Sequence, residues 1–184
     1  MIYAYRSIRV QRAAWPRVAS AVPGSYGLWR GEIGWYSDEG ALMSVEALPD
    51  DVDGVISFEE RRLEPTVRPD EPTPPREDGI YAHRWFEVAS SDFAEFLELS
   101  EGAWPDFESV FGVRIVGLWR DVEPPGGTEH ALLITRYPSL AVWESSRPYN
   151  PDLTPAAAEA RRRFVRRAEI TLRTGVRIGR LVGS

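Results

Sequence analysis

This chain is written partly twice. Residues 2–10 read IYAYRSIRV and residues 80–88 read IYAHRWFEV. AWP stands at 14–16 and at 103–105, and GLWR at 27–30 and at 117–120. Ala41-Leu42-Met43 has its counterpart in Ala131-Leu132-Leu133, and Arg62-Leu63 in Arg180-Leu181. Spacing is kept as well as wording. Gly27 to Ala41 and Gly117 to Ala131 are both 14 residues, while Trp15 to Trp29 and Trp104 to Trp119 are 14 and 15. A fixed order at nearly fixed separation marks an internal tandem duplication, and whatever one unit folds into, the chain must contain twice.

Between the copies, residues 63–79 (LEPTVRPDEPTPPREDG) carry Pro65, Pro69, Pro72, Pro74 and Pro75. Proline removes ladder donors and disfavours helix at the residue before it, so this segment reads as an extended linker. The division is then a first repeat at 1–62, a Pro-rich linker at 63–79 and a second repeat at 80–184.

The second repeat is the fuller one. Ile80–Val88 alternates with period two, as a strand does. Asp92-Phe93-Ala94-Glu95 resembles a capping box and opens a helix carrying Phe93, Phe96, Leu97 and Trp104, which Pro105 should kink or restart and Gly112 should end. Strands follow at 113–122 and 130–137, then a helix at 155–172 with Ala160, Phe164, Ala168 and Leu172 at i+4 spacing, then a strand at 176–182. That order is β-α-β-β-α-β, the ferredoxin-like unit. The first repeat offers strands at 2–10, 27–36, 41–48 and 55–63 and a short helix at 11–22. Its second helix shrinks to ALPDDVDG, so this unit is trimmed. One such sheet covers a single face with helices and needs a partner for the other. The expected fold class is therefore α+β, with two ferredoxin-like units in one chain closing a pseudo-dimeric α+β barrel. A single chain that supplies both sheets can close the barrel as a monomer, and further homodimerisation through the outer faces is compatible with it.

Composition then narrows the chemistry. All 22 basic residues are arginine, there is no cysteine, and the only histidines are His83 and His130. Lysine Schiff bases, a P-loop lysine, thiolate nucleophiles and Cys-ligated metals are all ruled out. Two histidines far apart in the topology call for no metal site, and the residues call for no resident cofactor. A net charge of −6 argues against nucleic acid or an anionic membrane as partner, and no stretch nears the length of a membrane span. Cytoplasm is the expected location. The run ARRRFVRRAE, on a helix, reads as a solvated face rather than a nucleic-acid patch.

GVRIVGLWRD (112–121), LLITRYPSLAVWESSR (132–147) and the terminal RRRFVRRAEITLRTGVRIGRLV resemble the NIPSNAP family. The resemblance covers residues 80–184 well and 1–62 faintly. It implies the dimeric α+β barrel group, which also holds small cofactor-independent monooxygenases and haem-binding relatives. It carries no catalytic motif onto positions of this chain.

In each first strand one face, Ile/Ala/Arg/Ile-or-Phe/Val, should lie under helices. The other bears Tyr3, Tyr5 and Ser7 in the first copy and Tyr81, His83 and Trp85 in the second. Pointing into the barrel, these residues would line a cavity suited to a flat aromatic or polyketide-like ligand. His83 is then the candidate general acid or base and Tyr81 the candidate oxyanion stabiliser, with Tyr3, Tyr5, Trp85, Trp119 and Arg120 as ligand contacts. Each has a structural alternative: a hydrogen-bonded core histidine, aromatics filling a small barrel, Trp29 and Trp119 packing with Arg30 and Arg120 paired to carboxylates. Haem ligation by His83 is the one prosthetic-group option. Two functions follow. One is small-molecule binding in the barrel, extending to a cofactor-independent monooxygenase, cyclase or isomerase. The other is a non-catalytic binding or interaction protein.

Overall fold

The computed structural model describes residues 1–45, 47–147 and 155–183. The first half holds β1 (Tyr3–Val10), α1 (Trp15–Ala21), β2 (Gly27–Ile33), β3 (Glu39–Ser44) and β4 (Val55–Pro65). The second holds β5 (Ile80–Val88), α2 (Phe93–Phe111), β6 (Arg114–Asp121), β7 (Glu129–Tyr137), α3 (Leu140–Ser145), α4 (Pro155–Glu169) and β8 (Thr171–Leu181). All strand pairs are antiparallel, and the eight strands close a barrel in the order β1-β3-β2-β8-β5-β7-β6-β4.

Within each half the neighbours run fourth-first-third-second, the ferredoxin-like order. The halves meet at two seams. At one, β2 pairs β8 from Trp29↔Leu181 to Ile33↔Ile178; at the other, β4 pairs β6 from Leu63↔Asp121 to Pro65↔Trp119. The Pro-rich segment prolongs the second seam. Thr66 donates its backbone N–H to the Leu118 carbonyl at 3.0 Å, and Leu118 donates back to Arg68 at 2.9 Å. Arg68 pairs with Glu108 and Arg114 with Glu77, so this segment is fastened to β6 and α2.

Period-two alternation divides the apolar residues among three cores. Tyr3, Tyr5, Tyr26, Trp29, Met43, Tyr81, Trp119, Leu132 and Ile134 fill the barrel interior. Ile8, Val10, Trp15, Val18, Leu28 and Leu42 form a core outside the first half, and Ala82, Phe86, Phe96, Trp104, Phe107 and Leu133 form one outside the second. The repeated G-L-W has a packing cause. A Cβ on Gly27 would lie 2.2 Å from the ring of Trp29, and one on Gly117 2.4 Å from the ring of Trp119. Each tryptophan folds back along its own strand over a glycine two residues earlier, which only a residue without a side chain permits.

Several local expectations are corrected. Pro105 does not restart α2, which runs through it; Pro105 and Glu101, one turn earlier, are both exposed, so the carbonyl deprived of its N–H partner faces water. Asp92 makes no side-chain cap, and Glu95 pairs with Arg166 of α4 instead of closing a capping box. The closing strand starts at Thr171, not 176, because β5 offers pairing partners as far as Val88↔Thr171. Leu172, read as helical core, is consequently a strand residue 61% exposed. The strand expected at 41–48 ends at Ser44, and Glu46 lies outside the described residues. No regular helix forms over ALPDDVDG.

Candidate functional site

The barrel interior receives Tyr3, Tyr5, Tyr81, Trp85 and Trp119 together with His83, all placed there by alternation on β1, β5 and β6. Their packing is tight. Tyr3, Tyr81 and Trp119 are fully buried and His83 is 1% exposed. Tyr3 meets Tyr26 and Trp119 edge-on at 5.2 and 5.6 Å between centroids, and the Trp29 indole stands against His83 at 4.7 Å. The Tyr5 hydroxyl lies 3.1 Å from His83 Nδ1. Among the described residues Tyr5 has no other acceptor, so its O–H is assigned to Nδ1, which leaves the proton of the neutral ring on Nε2. Burial, reinforced by the Arg177 charge, pushes the imidazole pKa down to about 3. His83 is thus neutral at physiological pH and a weak base. Burial raises the phenols, Tyr5 strongly and Tyr81 to about 12; Tyr81 donates its hydroxyl to the Glu77 carbonyl at 2.6 Å, within the segment that covers this end of the barrel. An imidazole sealed among Trp29, Trp35 and Tyr5 does not fit a haem ligand.

Arg120 is not brought to this group. It lies on the opposite face of β6 from Trp119, where it holds Glu129 at 2.6 and 3.1 Å, approaches Glu64 at 3.5 Å, and stands over Phe93. The alternation of β6 dictates that separation. His130, expected at the surface, begins β7 in a half-buried setting.

Ligand-sized space lies elsewhere. A cavity of about 700 Å³ sits between the outward face of the second half-sheet and its helices. Its floor is Ala82, Arg84 and Phe86 of β5, Ile115 of β6 and Leu133, Thr135 and Tyr137 of β7. Its roof is Trp104, Phe107 and Phe111 of α2 with Ala160, Phe164 and Arg167 of α4, and Trp143 and Arg147 close one end. Val165 and Leu172, exposed by 46 and 61%, mark the rim toward solvent. A second space of about 390 Å³ lies where the Pro-rich segment crosses the barrel end, against Tyr26, Arg114 and Val116. His83 lines neither of the two.

The electrostatics of the large cavity are one-sided. Arg167 stacks over Phe164, Phe86 and Phe96 at 4.6, 5.0 and 5.7 Å and donates to Ser100 Oγ at 3.1 Å. Burial and then the charge of Arg84 bring its pKa down to about 9. Burial also lowers Arg84. Tyr137 is raised by burial and eased by Arg84, so its phenol stays protonated. The indole N–H of Trp104 has no partner among the described residues. Sequence reasoning missed this site. Arg167 sat in a run read as a solvated face, yet it follows Ala160 and Phe164 at i+7 and i+3, a spacing that turns it toward the sheet. Among the described residues no three His, Asp or Glu side chains gather as a metal site, and no helix is long and apolar enough to cross a membrane.

No family model matches the chain, and no curated protein sequence matches it. Solved structures do. An anthrone oxidase-like protein superposes with a TM-score of 0.63 at 13% identity, over 98% of this chain and 91% of that one. A ferredoxin-fold protein from Listeria monocytogenes, described as related to antibiotic biosynthesis monooxygenases, gives 0.58 at 11% identity over 100 and 96%. The haem-degrading enzyme LmHde of the same organism gives 0.52 at 9% identity over 95 and 97%. The fold is that of ferredoxin-like, dimeric α+β barrel proteins. At these identities the likeness is one of architecture, spanning both halves.

Proposed function

We propose that this protein binds a small aromatic or polyketide-like molecule in the cavity between the second half-sheet and helices α2 and α4. The observation that carries the reading is the cavity itself: about 700 Å³, walled by Phe86, Trp104, Phe107, Phe164 and Trp143, with a few polar groups converging on it. The names of its structural neighbours, an oxidase-like protein and a relative of monooxygenases, favour extending the reading to turnover without a resident cofactor, as oxygenation, cyclisation or isomerisation. Native mass spectrometry of freshly purified protein tests it. A non-covalently held small molecule, lost when Ala160→Trp fills the cavity, is the expected result. A ligand retained by that variant, or binding abolished by His83→Ala alone, would transfer the site to the barrel.

A second reading keeps His83 and Tyr81 as the reacting pair inside the barrel. What favours it is a set of buried polar atoms there without partners among the described residues: His83 Nε2 and the Nε1 atoms of Trp29 and Trp35. Such groups suit an electron-rich oxygen in their midst.

The halves themselves we attribute to tandem duplication, with units at 1–62 and 80–184 joined by 63–79. The supports are the common strand order and the shared tryptophan-over-glycine packing. The narrower kinship with NIPSNAP-like proteins, and with it the non-catalytic alternative, rests on the GLWR and RYPSL segments of the second half.

A further inference from the structure

The two halves carry the same arginine in their first strands, fifth in IYAYR and fifth in IYAHR, and treat it in opposite ways. Arg6 is 3% exposed and fully engaged. It donates Nε to Glu60 at 2.6 Å and its terminal nitrogens to the carbonyls of Pro49 and Leu48 at 2.5 and 3.0 Å, and it stacks over Phe58 at 3.8 Å. Arg84 faces the cavity with no hydrogen bond or ion pair among the described residues. The register explains the loss. Opposite Arg6 stand Leu42 and Glu60, whereas opposite Arg84 stand Leu133 and Val176. The segment around Leu48 and Pro49 that seals Arg6 is replaced by α4, which brings a second guanidinium, Arg167, in place of an acceptor.

We infer that the cavity is built for an anion: an aromatic or otherwise flat apolar molecule carrying an acidic oxygen group, whose charge Arg84 takes at the cavity floor with Arg167 supporting from the roof. This inference rests on the cavity reading above and names the ligand class within it. A guanidinium withdrawn from water needs charged or polar acceptors, and the first half shows how this fold supplies them internally when no ligand is intended. In the second half the lining brings donors together, Arg84, Arg167, the Tyr137 phenol and the Trp104 N–H, among aromatic faces and a few hydroxyls, with no carboxylate among the described residues paired to Arg84. The one carboxylate on the lining, Glu169, is held by Arg166 on the exposed side of α4. An acidic group fits the vacancy that a neutral ligand would leave unsatisfied, and a fork-shaped guanidinium prefers a planar oxyanion.

Two fluorescent probes of one skeleton test this: 8-anilinonaphthalene-1-sulfonate and its neutral twin N-phenyl-1-naphthylamine, which lacks only the sulfonate. On the full chain the anion is expected to bind at least about tenfold tighter, the effect of one or two charge-assisted hydrogen bonds. Arg84→Leu should erase that preference by weakening the sulfonate alone, Arg84→Lys should keep part of it, and Arg9→Leu, on the exterior of the first half, should change neither affinity. A co-crystal should show the sulfonate on Arg84. Equal affinity for both probes, or a preference that survives Arg84→Leu, overturns the anion inference while the cavity reading stands. If neither probe binds saturably, the cavity reading fails and takes this inference with it.

Discussion

Arg6 and Arg84 stand at matching places in the first strands of the two halves, yet one guanidinium is held by acceptors of its own half and the other faces a cavity. In the first half the short connection through Leu48 and Pro49 lies flat on the sheet, fills the space a helix would occupy and satisfies the guanidinium with two carbonyls and Glu60. In the second, α2 and α4 stand off the sheet and leave room beneath them. The sheet face is thus covered where the connection through Leu48 and Pro49 crosses it, and a cavity remains where α4 takes that place.

The largest effect should come from breaking the satisfied copy. Arg6→Leu leaves Glu60 and two carbonyls without their donor and removes the stacking on Phe58. With Glu60 about a third exposed, the cost is about 3 kcal/mol, at the lower end of the range for a fully buried pair. In a chain of this size that is a fall in Tm of roughly 6–12 °C by calorimetry. A loss below about 1 kcal/mol would mean that the Leu48–Pro49 cover is not what seals this half.

Next comes the difference inside the barrel, where Tyr5 holds the place that His83 holds in the second copy. In the folded protein the imidazole has a pKa near 3, and in the unfolded chain one near the usual 6.5. Between those values the unfolded state binds the proton, so stability falls as pH falls below about 6.5. The contribution from His83 is about 2 kcal/mol lost between pH 6.5 and 5, at up to about 1.4 kcal/mol per pH unit. The exposed carboxylates held low by arginine, Asp38 and Glu95, lose their contribution only in more acidic solution. His83→Gln should therefore flatten the stability profile between pH 6.5 and 5. An unchanged profile would show that the ring is not neutral and sealed.

How much of this could be read from the letters follows from which interactions are local. The repeat and the period-two pattern placed the eight strands and sent Tyr3, Tyr5, Tyr81, His83, Trp85 and Trp119 to one face, because alternation is a property of each strand alone. Arg120 was misplaced on that same ground: one position from Trp119, it had to face outward. The location of the ligand-sized space was not legible. It depends on how far α4 stands from the sheet, a matter of tertiary packing, and the charge within it depends on Val176 lying opposite Arg84, a matter of register.

The glycines beneath the two tryptophans sharpen the comparison further. Gly27→Ala forces its methyl against the Trp29 ring, while Gly117→Ala meets both the Trp119 ring and, at 2.8 Å, Pro69 of the fastened segment. Both should destabilise, by about 1–2 kcal/mol, the second more than the first, since two neighbours must yield instead of one. Denaturant midpoints would measure the pair, and equal losses would show that Pro69 gives way freely.

The smallest effect has the opposite sign. Arg84→Leu removes a charge that lies near Arg167 with no hydrogen-bonded or ion-paired acceptor among the described residues to offset its desolvation. The leucine would join Leu133 and Val176, its partners on either side. The variant should therefore gain about 1 kcal/mol, visible as a Tm raised by roughly 2–4 °C, because an unpaired buried charge replaced by an apolar side chain relieves more than it forfeits. Against Arg6→Leu this is a reversal of sign at equivalent positions. That reversal is the expected signature of a residue retained for what it binds, at some expense to the fold, in contrast to one retained for what it holds together. If both substitutions destabilise alike, Arg84 is a structural residue with an acceptor supplied in solution, and the contrast between the halves reduces to their differing helices.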